Sequence, residues 1–275
     1  MNKKGLMLSK SVNLFLYGAI FIILVIIVGM IIINLTKGNS REDCRLSMLM
    51  KTATTVEVAG GFAGVNSPIS DSCPRYFVKF SKTKAEIRKG TKAFDTVKYD
   101  KLTKDNELTN DIVNKLVAEE LRGCWYQFGA GKMDAFWIPS KLYLINDWSN
   151  NEKVCFICSE IEFEKQDFNS INYDGFYDYL QEHDILGTTK QGDGETLYSY
   201  LTTTDFCQDK YLAAGINCWE AYASEENINL QLKFNSDERY YVVLIRHGED
   251  KDDATINSYV IPTSDYRQYC NQQAK

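Results

Sequence analysis

From Val12 to Leu35 (VNLFLYGAIFIILVIIVGMIIINL) the chain is apolar at nearly every position, and no charge falls between Lys10 and Lys37. A soluble core helix of that length keeps a polar stripe, whereas this run offers only Asn13, Tyr17 and Asn34 near its ends. Rising about 1.5 Å per residue, such a helix reaches about 36 Å, against a hydrocarbon core of about 30 Å. The pattern predicts a transmembrane helix over 12–35.

Downstream the pattern breaks into short periodic pieces. Arg45 to Val58 reads as a helix stopped by Gly60-Gly61, and Tyr76 to Phe80 (YFVKF) alternates as a strand does. Ile112, Val113, Leu116, Val117 and Leu121 form one stripe of a helix from Thr109 to Leu121, with Thr109 or Asn110 to cap it and Gly123 to end it. Lys141 to Ile145 (KLYLI) and Val154 to Phe163 (VCFICSEIEF) read as strands. Asn169 to Gly187 reads as a helix with Tyr173, Phe176, Tyr177 and Leu180 on one side, and Thr204–Ala214 and Cys218–Ser224 read as shorter ones. Ile228 to Phe234 alternates, Arg239 to Arg246 (RYYVVLIR) is rich in strand formers, Asn235 to Glu238 would join them as a hairpin, and Asn257 to Ile261 supplies another strand. The expected fold is α+β: an N-terminal transmembrane helix, then a mixed domain with an antiparallel C-terminal sheet.

The expected division is 1–11 as a short cytoplasmic N-terminus, 12–35 as the anchor, 36–43 as a polar neck and 44–275 as an extracytoplasmic domain, with 165–190 as the place for a subdivision. The run exceeds the usual apolar region of a cleaved signal peptide, and no small-x-small site follows Leu35, so an uncleaved signal-anchor is expected. Net charge is −6, with acids spread throughout, which argues against a nucleic-acid partner. The basic stretch Lys79 to Lys104 reads as a solvated strand-and-loop face, with contact to anionic lipid or polymer as the functional alternative.

The eight cysteines, Cys44, Cys73, Cys124, Cys155, Cys158, Cys207, Cys218 and Cys270, all follow the anchor, and their even number permits full pairing. This points to an oxidising, extracytoplasmic compartment at the cell membrane and to structural disulfides. Cys207 and Cys218 are the first expected pair, while the remaining connectivity stays open. In an extended Val154–Phe163, Cys155, Ile157, Ser159, Ile161 and Phe163 share one face and Val154, Phe156, Cys158, Glu160 and Glu162 the other, so Cys155 and Cys158 cannot bond to each other. A thioredoxin-like dithiol belongs at a helix N-terminus, and a zinc site needs a second close ligand pair.

Gly129-Ala-Gly131-Lys132 is not a phosphate loop, since Tyr126 stands five before Gly131 and Met133 replaces the required Ser or Thr. His183 reads as a packing or dipole partner at a helix end. The acidic loop from His247 to Asp253 lacks the EF-hand spacing. With no Gly-x-Ser-x-Gly, no His-Glu-x-x-His and no dinucleotide loop, the expectation is no catalytic residue, no metal and no cofactor.

Cys44-Arg-Leu-Ser, Cys73-Pro, Cys124-Trp-Tyr-x-Phe-Gly-x-Gly-Lys132 and Cys155-x-x-Cys158-Ser-x-Ile161 resemble a group of single-pass archaeal membrane proteins to which no activity is attached. The resemblance covers roughly the first 165 residues and implies the anchor and outward cysteines. Lys3, Lys4 and Gly5 before the apolar run are similar to the leader of archaeal type IV pilin-like proteins. Three functions follow as expectations: a non-enzymatic membrane-anchored protein acting through surface contacts with a protein partner; a pilin-like subunit that self-assembles through its anchor; or a thiol-disulfide oxidoreductase using Cys155 and Cys158.

Overall fold

A computed structural model describes residues 17–23, 41–54, 73–90, 94–98, 107–132, 153–165, 167–185, 195–205, 207, 211, 217–248, 254–270 and 272–273. Its helices are α1 (Arg41–Thr54), α2 (Asn110–Gln127), α3 (Phe176–Glu182), α4 (Leu197–Thr202), α5 (Cys218–Glu226) and α6 (Tyr266–Tyr269). Its strands are β1 (Tyr76–Phe80), β2 (Lys84–Lys89), β3 (Phe94–Lys98), β4 (Lys153–Phe163), β5 (Asn172–Tyr173), β6 (Phe234–Asn235), β7 (Tyr240–His247), β8 (Thr255–Pro262) and β9 (Gln272–Gln273).

One mixed sheet of seven strands runs β3-β2-β1-β4-β7-β8, with β9 on β4. β1 and β9 pair with β4 in parallel, and the other neighbours are antiparallel. The C-terminal strands β7 and β8 are antiparallel as expected, but they extend this mixed sheet and do not form a sheet of their own. They follow residue 190 in the chain, yet β7 adds directly to β4.

α2 is the central helix, packed against β4, β7 and β8. Thr109 caps it by accepting a hydrogen bond from the Ile112 N–H. Its apolar stripe is buried as the periodicity requires: Ile112, Val113, Val117 and Leu121 are all at most 1% exposed. The helix does not stop at Gly123 but continues to Gln127. Gly123 serves a different purpose there: a Cβ on it would stand 1.5 Å from Nη1 of Arg41, which crosses the helix to reach Glu120 and the Glu119 carbonyl. The chain turns away only at Gly129, Ala130 and Gly131, with φ of 83°, 53° and 73°. At Gly131 a side chain would also strike Trp125 and the backbone of Thr203.

Several expected elements are shorter or differently joined. Instead of one helix over 169–187, Asn172–Tyr173 pairs with β6, Gly175 turns the chain at φ 79°, and only then does α3 begin. The alternating run 228–234 is strand only at its end. The Ile228 N–H closes α5 on the Ala223 carbonyl, and the available partner, β5, is two residues long. Residues 235–238 therefore join β6 to β7 without making a hairpin, since β7 pairs with β4 and β8. Lys141–Ile145, the acidic segment 249–253 and most of Thr204–Ala214 lie outside the described residues.

The same holds for most of the 12–35 run. Residues 17–23 are helical, with Tyr17, Ile20, Phe21, Ile22 and Ile23 exposed. Among the described residues, no helix is long and apolar enough to cross a membrane.

Aromatic side chains fill both sides of the sheet. Phe163 stacks on Phe80 and on Tyr173, and Tyr259 on Trp219. Burial pushes the Tyr173 phenol up to about 12, and it pushes Tyr179, Tyr222, Tyr240 and Tyr259 up further. These phenols ionise near 10 in an unfolded chain, so the stability they contribute is complete below about pH 10 and is lost as the pH rises through the folded values. In an alkaline titration they are expected to ionise together with loss of near-ultraviolet dichroism. Complete phenolate formation near pH 10 with the fold intact would contradict this packing.

Candidate functional site

The expected site residues are the eight cysteines, and the structure pairs them as Cys44–Cys73, Cys124–Cys158, Cys155–Cys270 and Cys207–Cys218. Their Cα separations of 4.7 to 5.8 Å lie within the range that a disulfide spans. Cys44–Cys73 ties α1 to the entry of β1, and Cys124–Cys158 ties α2 to β4. Cys155–Cys270 fixes the C-terminal segment to β4, while Cys207–Cys218 holds the start of α5.

β4 carries a bulge between Ile157 and Ser159, which corrects the simple alternation. Phe156 meets Phe128 and Cys158 bonds to Cys124, so both face α2. Beyond the bulge, Ser159 also faces α2, where its hydroxyl donates to Glu120. Ser159 thus stands on the side of Cys158 and not of Cys155. Cys155 instead bonds to Cys270, just past α6. The pairing leaves no dithiol at Cys155-x-x-Cys158, and no cysteine of the chain is free.

The described part of the expected basic stretch, 79–90 and 94–98, mixes both signs with its neighbours. At the ends of β1 and β4, alternation brings Lys79 opposite Glu162, and the Glu164 N–H continues the pairing onto the Phe80 carbonyl at 2.8 Å. Lys79 Nζ lies 3.0 Å from Glu164, and this hydrogen bond holds the ammonium group above its ordinary pKa. Lys84 pairs with Glu86, whereas Lys82, Lys89 and Lys98 are exposed.

Across from Lys79 the 236–239 turn is pinned to the segment before β5: the Ile171 N–H donates to Ser236 Oγ at 2.9 Å, and the Ser236 N–H donates to the Ile171 carbonyl. Arg239 reaches Glu160 at 3.4 Å while staying largely exposed. Lys79, Lys165 and Arg239, with Glu162, Glu164, Asp237 and Glu238, line an open recess of about 600 Å³. Its groups can form charged hydrogen bonds to a polar partner of either sign. Sequence reading missed it because its walls come from three separated stretches; the run of acids at 160, 162 and 164 was the available signal.

Tyr177 and Tyr198 both donate to Oε1 of Glu220 at 2.5 Å, locking α3, α4 and α5 together. His183 ends α3 with its ring stacked 3.8 Å from that of Tyr179. Among the described residues, no group of three or more His, Cys, Asp or Glu is arranged to hold a metal ion. No protein-family model, no curated protein and no solved structure matches the chain.

Proposed function

We propose that the chain is a membrane-anchored protein whose domain from 44 to 275 stands outside the cytoplasm, fastened by disulfides, and acts by non-covalent contact with a partner. The observation that carries this reading is the cysteine pairing. All eight are joined in four bonds with sequence separations of 11 to 115 residues, the pattern of a framework built in an oxidising compartment. An oxidoreductase acting through Cys155 and Cys158 needs those two as a unit, and here each is held by a different distant cysteine. The anchor reading is supported by the uncharged 12–35 run and by the exposed apolar side chains of its helical 17–23 portion. The recess between Lys79 and Arg239 is the place proposed for the contact.

Cell fractionation tests the reading. The full chain is expected to sediment with membranes, to stay there through alkaline carbonate, and to be digested by protease added outside intact cells. Recovery in the soluble fraction, or protection from external protease until the cells are opened, would contradict it.

A further inference from the structure

Thr255, Asn257 and Tyr259 occupy alternate positions on one face of β8, opposite His247, Ile245 and Val243 of β7. β4 continues these rows with Lys153 beside His247 and Cys155 beside Ile245. α5 lies over this face. Trp219 stacks on Tyr259, its indole N–H donates to the Ser258 carbonyl, and the Tyr259 hydroxyl donates back to the Trp219 carbonyl, each at 2.8 Å. About two turns further on, Glu226 pairs with Lys153.

Between those two attachments stands Tyr222. Its ring lies 6.1 Å from that of Tyr259 and 5.9 Å from that of His247. Those two residues flank Asn257 on the sheet, so the Tyr222 ring stands over the segment from Thr255 to Asn257. All three residues are buried: Tyr222 is 1% exposed, Thr255 1% and Asn257 0%. Yet among the described residues the Tyr222 hydroxyl, the Thr255 hydroxyl and both polar atoms of the Asn257 amide have no hydrogen-bond partner.

A buried polar atom without a partner costs at least as much as a hydrogen bond gains, and native interiors keep few of them. Here four fall on one covered stretch of the sheet, and they include a fixed donor, Asn257 Nδ2, a fixed acceptor, Asn257 Oδ1, and two hydroxyls that serve as either. All four are uncharged, and a water molecule is satisfied by two to four such groups.

We propose that this is an internal water site: at least one ordered water bridges Asn257 to Thr255 and Tyr222 and, with the two direct hydrogen bonds of Trp219, fixes α5 on the edge strand β8. The site is independent of the membrane anchor and of the recess.

A high-resolution crystal structure of the full chain in detergent tests it. Ordered water is expected within hydrogen-bond distance of the Asn257 amide and of Thr255 Oγ1 or Tyr222 Oη. In solution, Asn257→Leu is expected to lower Tm by about 2–8 °C. Tyr222→Phe, which removes one oxygen and keeps the ring, is expected to lower it by less and serves as the readout should Asn257→Leu not fold. The double variant is expected to fall short of the sum, since both changes empty one network. The proposal is overturned by density showing these groups bonded to each other without water, by an organic molecule at the site, or by variants whose Tm is unchanged or raised.

Discussion

Replacing Cys155 and Cys270 together with alanine is expected to destabilise the domain by about 5 kcal/mol, roughly 10–20 °C in Tm. The bond closes a loop of sequence separation 115, and in the chain-entropy account the stabilisation grows with the logarithm of that length. The Cys207–Cys218 bond, with separation 11, is expected to contribute about 3 kcal/mol on the same basis. The long loop also has a local consequence. Gln272 and Gln273 pair with Val154 and Cys155 immediately past Cys270, so the double variant is expected to release β9 as well. Urea denaturation of the two double variants under non-reducing conditions measures the difference. Equal losses would contradict the loop-length account.

Arg41→Ala is expected to cost about 3–5 kcal/mol, because it strands a buried carboxylate. The Glu120 side chain is 8% exposed and accepts from the Arg41 guanidinium and from the Ser159 hydroxyl. Without Arg41, only the neutral hydroxyl remains. The guanidinium also lies 4.2 Å from the Tyr76 ring centroid, so one side chain links α1, α2 and β1. Arg41→Met with Glu120→Leu is expected to recover most of the loss, since apolar groups need no such partner.

Gly123→Ala supplies the control for this account. In the native background its methyl group would occupy the place of the Arg41 guanidinium and drive it out. In the Arg41→Ala background that obstruction is gone, and alanine is expected to stabilise the helix by about 1 kcal/mol over glycine. A reversal of sign between the two backgrounds, read by chemical denaturation, identifies the guanidinium as the reason for glycine. The same sign in both would refute it.

These examples also show which parts of the architecture the sequence made legible. The α2 stripe and its Thr109 cap are local features, and they appear in the structure as the periodicity requires. So do the strand character of Tyr76–Phe80, which alternates, and of β7, which is rich in β-branched and aromatic residues. What local reading could not reach is set by distant pairings. Gly123 looks like a helix stop until Arg41, 79 residues before its partner Glu120, is known to cross there. The β4 bulge moves Ser159 to the α2 side, and no residue within Val154–Phe163 announces an inserted position. The alternation of 228–234 is real but lacks an adjacent strand long enough to pair with it.

The recess and the buried polar row were illegible for the same reason. Lys79, Glu164 and Arg239 are ordinary surface residues in their own segments and meet only when β1 pairs in parallel with β4 and β7 pairs antiparallel with it. Asn257 and Thr255 look like the polar half of an alternating edge strand, and they are buried because α5 returns to cover them. The cysteines are intermediate: their count and position suggested a disulfide framework, but all pairings beyond Cys207 with Cys218 required the fold.

Disulfide mapping of the full chain, alkylated in intact cells before lysis and digested without reductant, tests the account of a disulfide-fastened extracytoplasmic domain most directly. The expected result is four linked peptide pairs, Cys44 with Cys73, Cys124 with Cys158, Cys155 with Cys270 and Cys207 with Cys218, and no alkylated cysteine. Alkylated thiols throughout, or a Cys155–Cys158 bond, would contradict it.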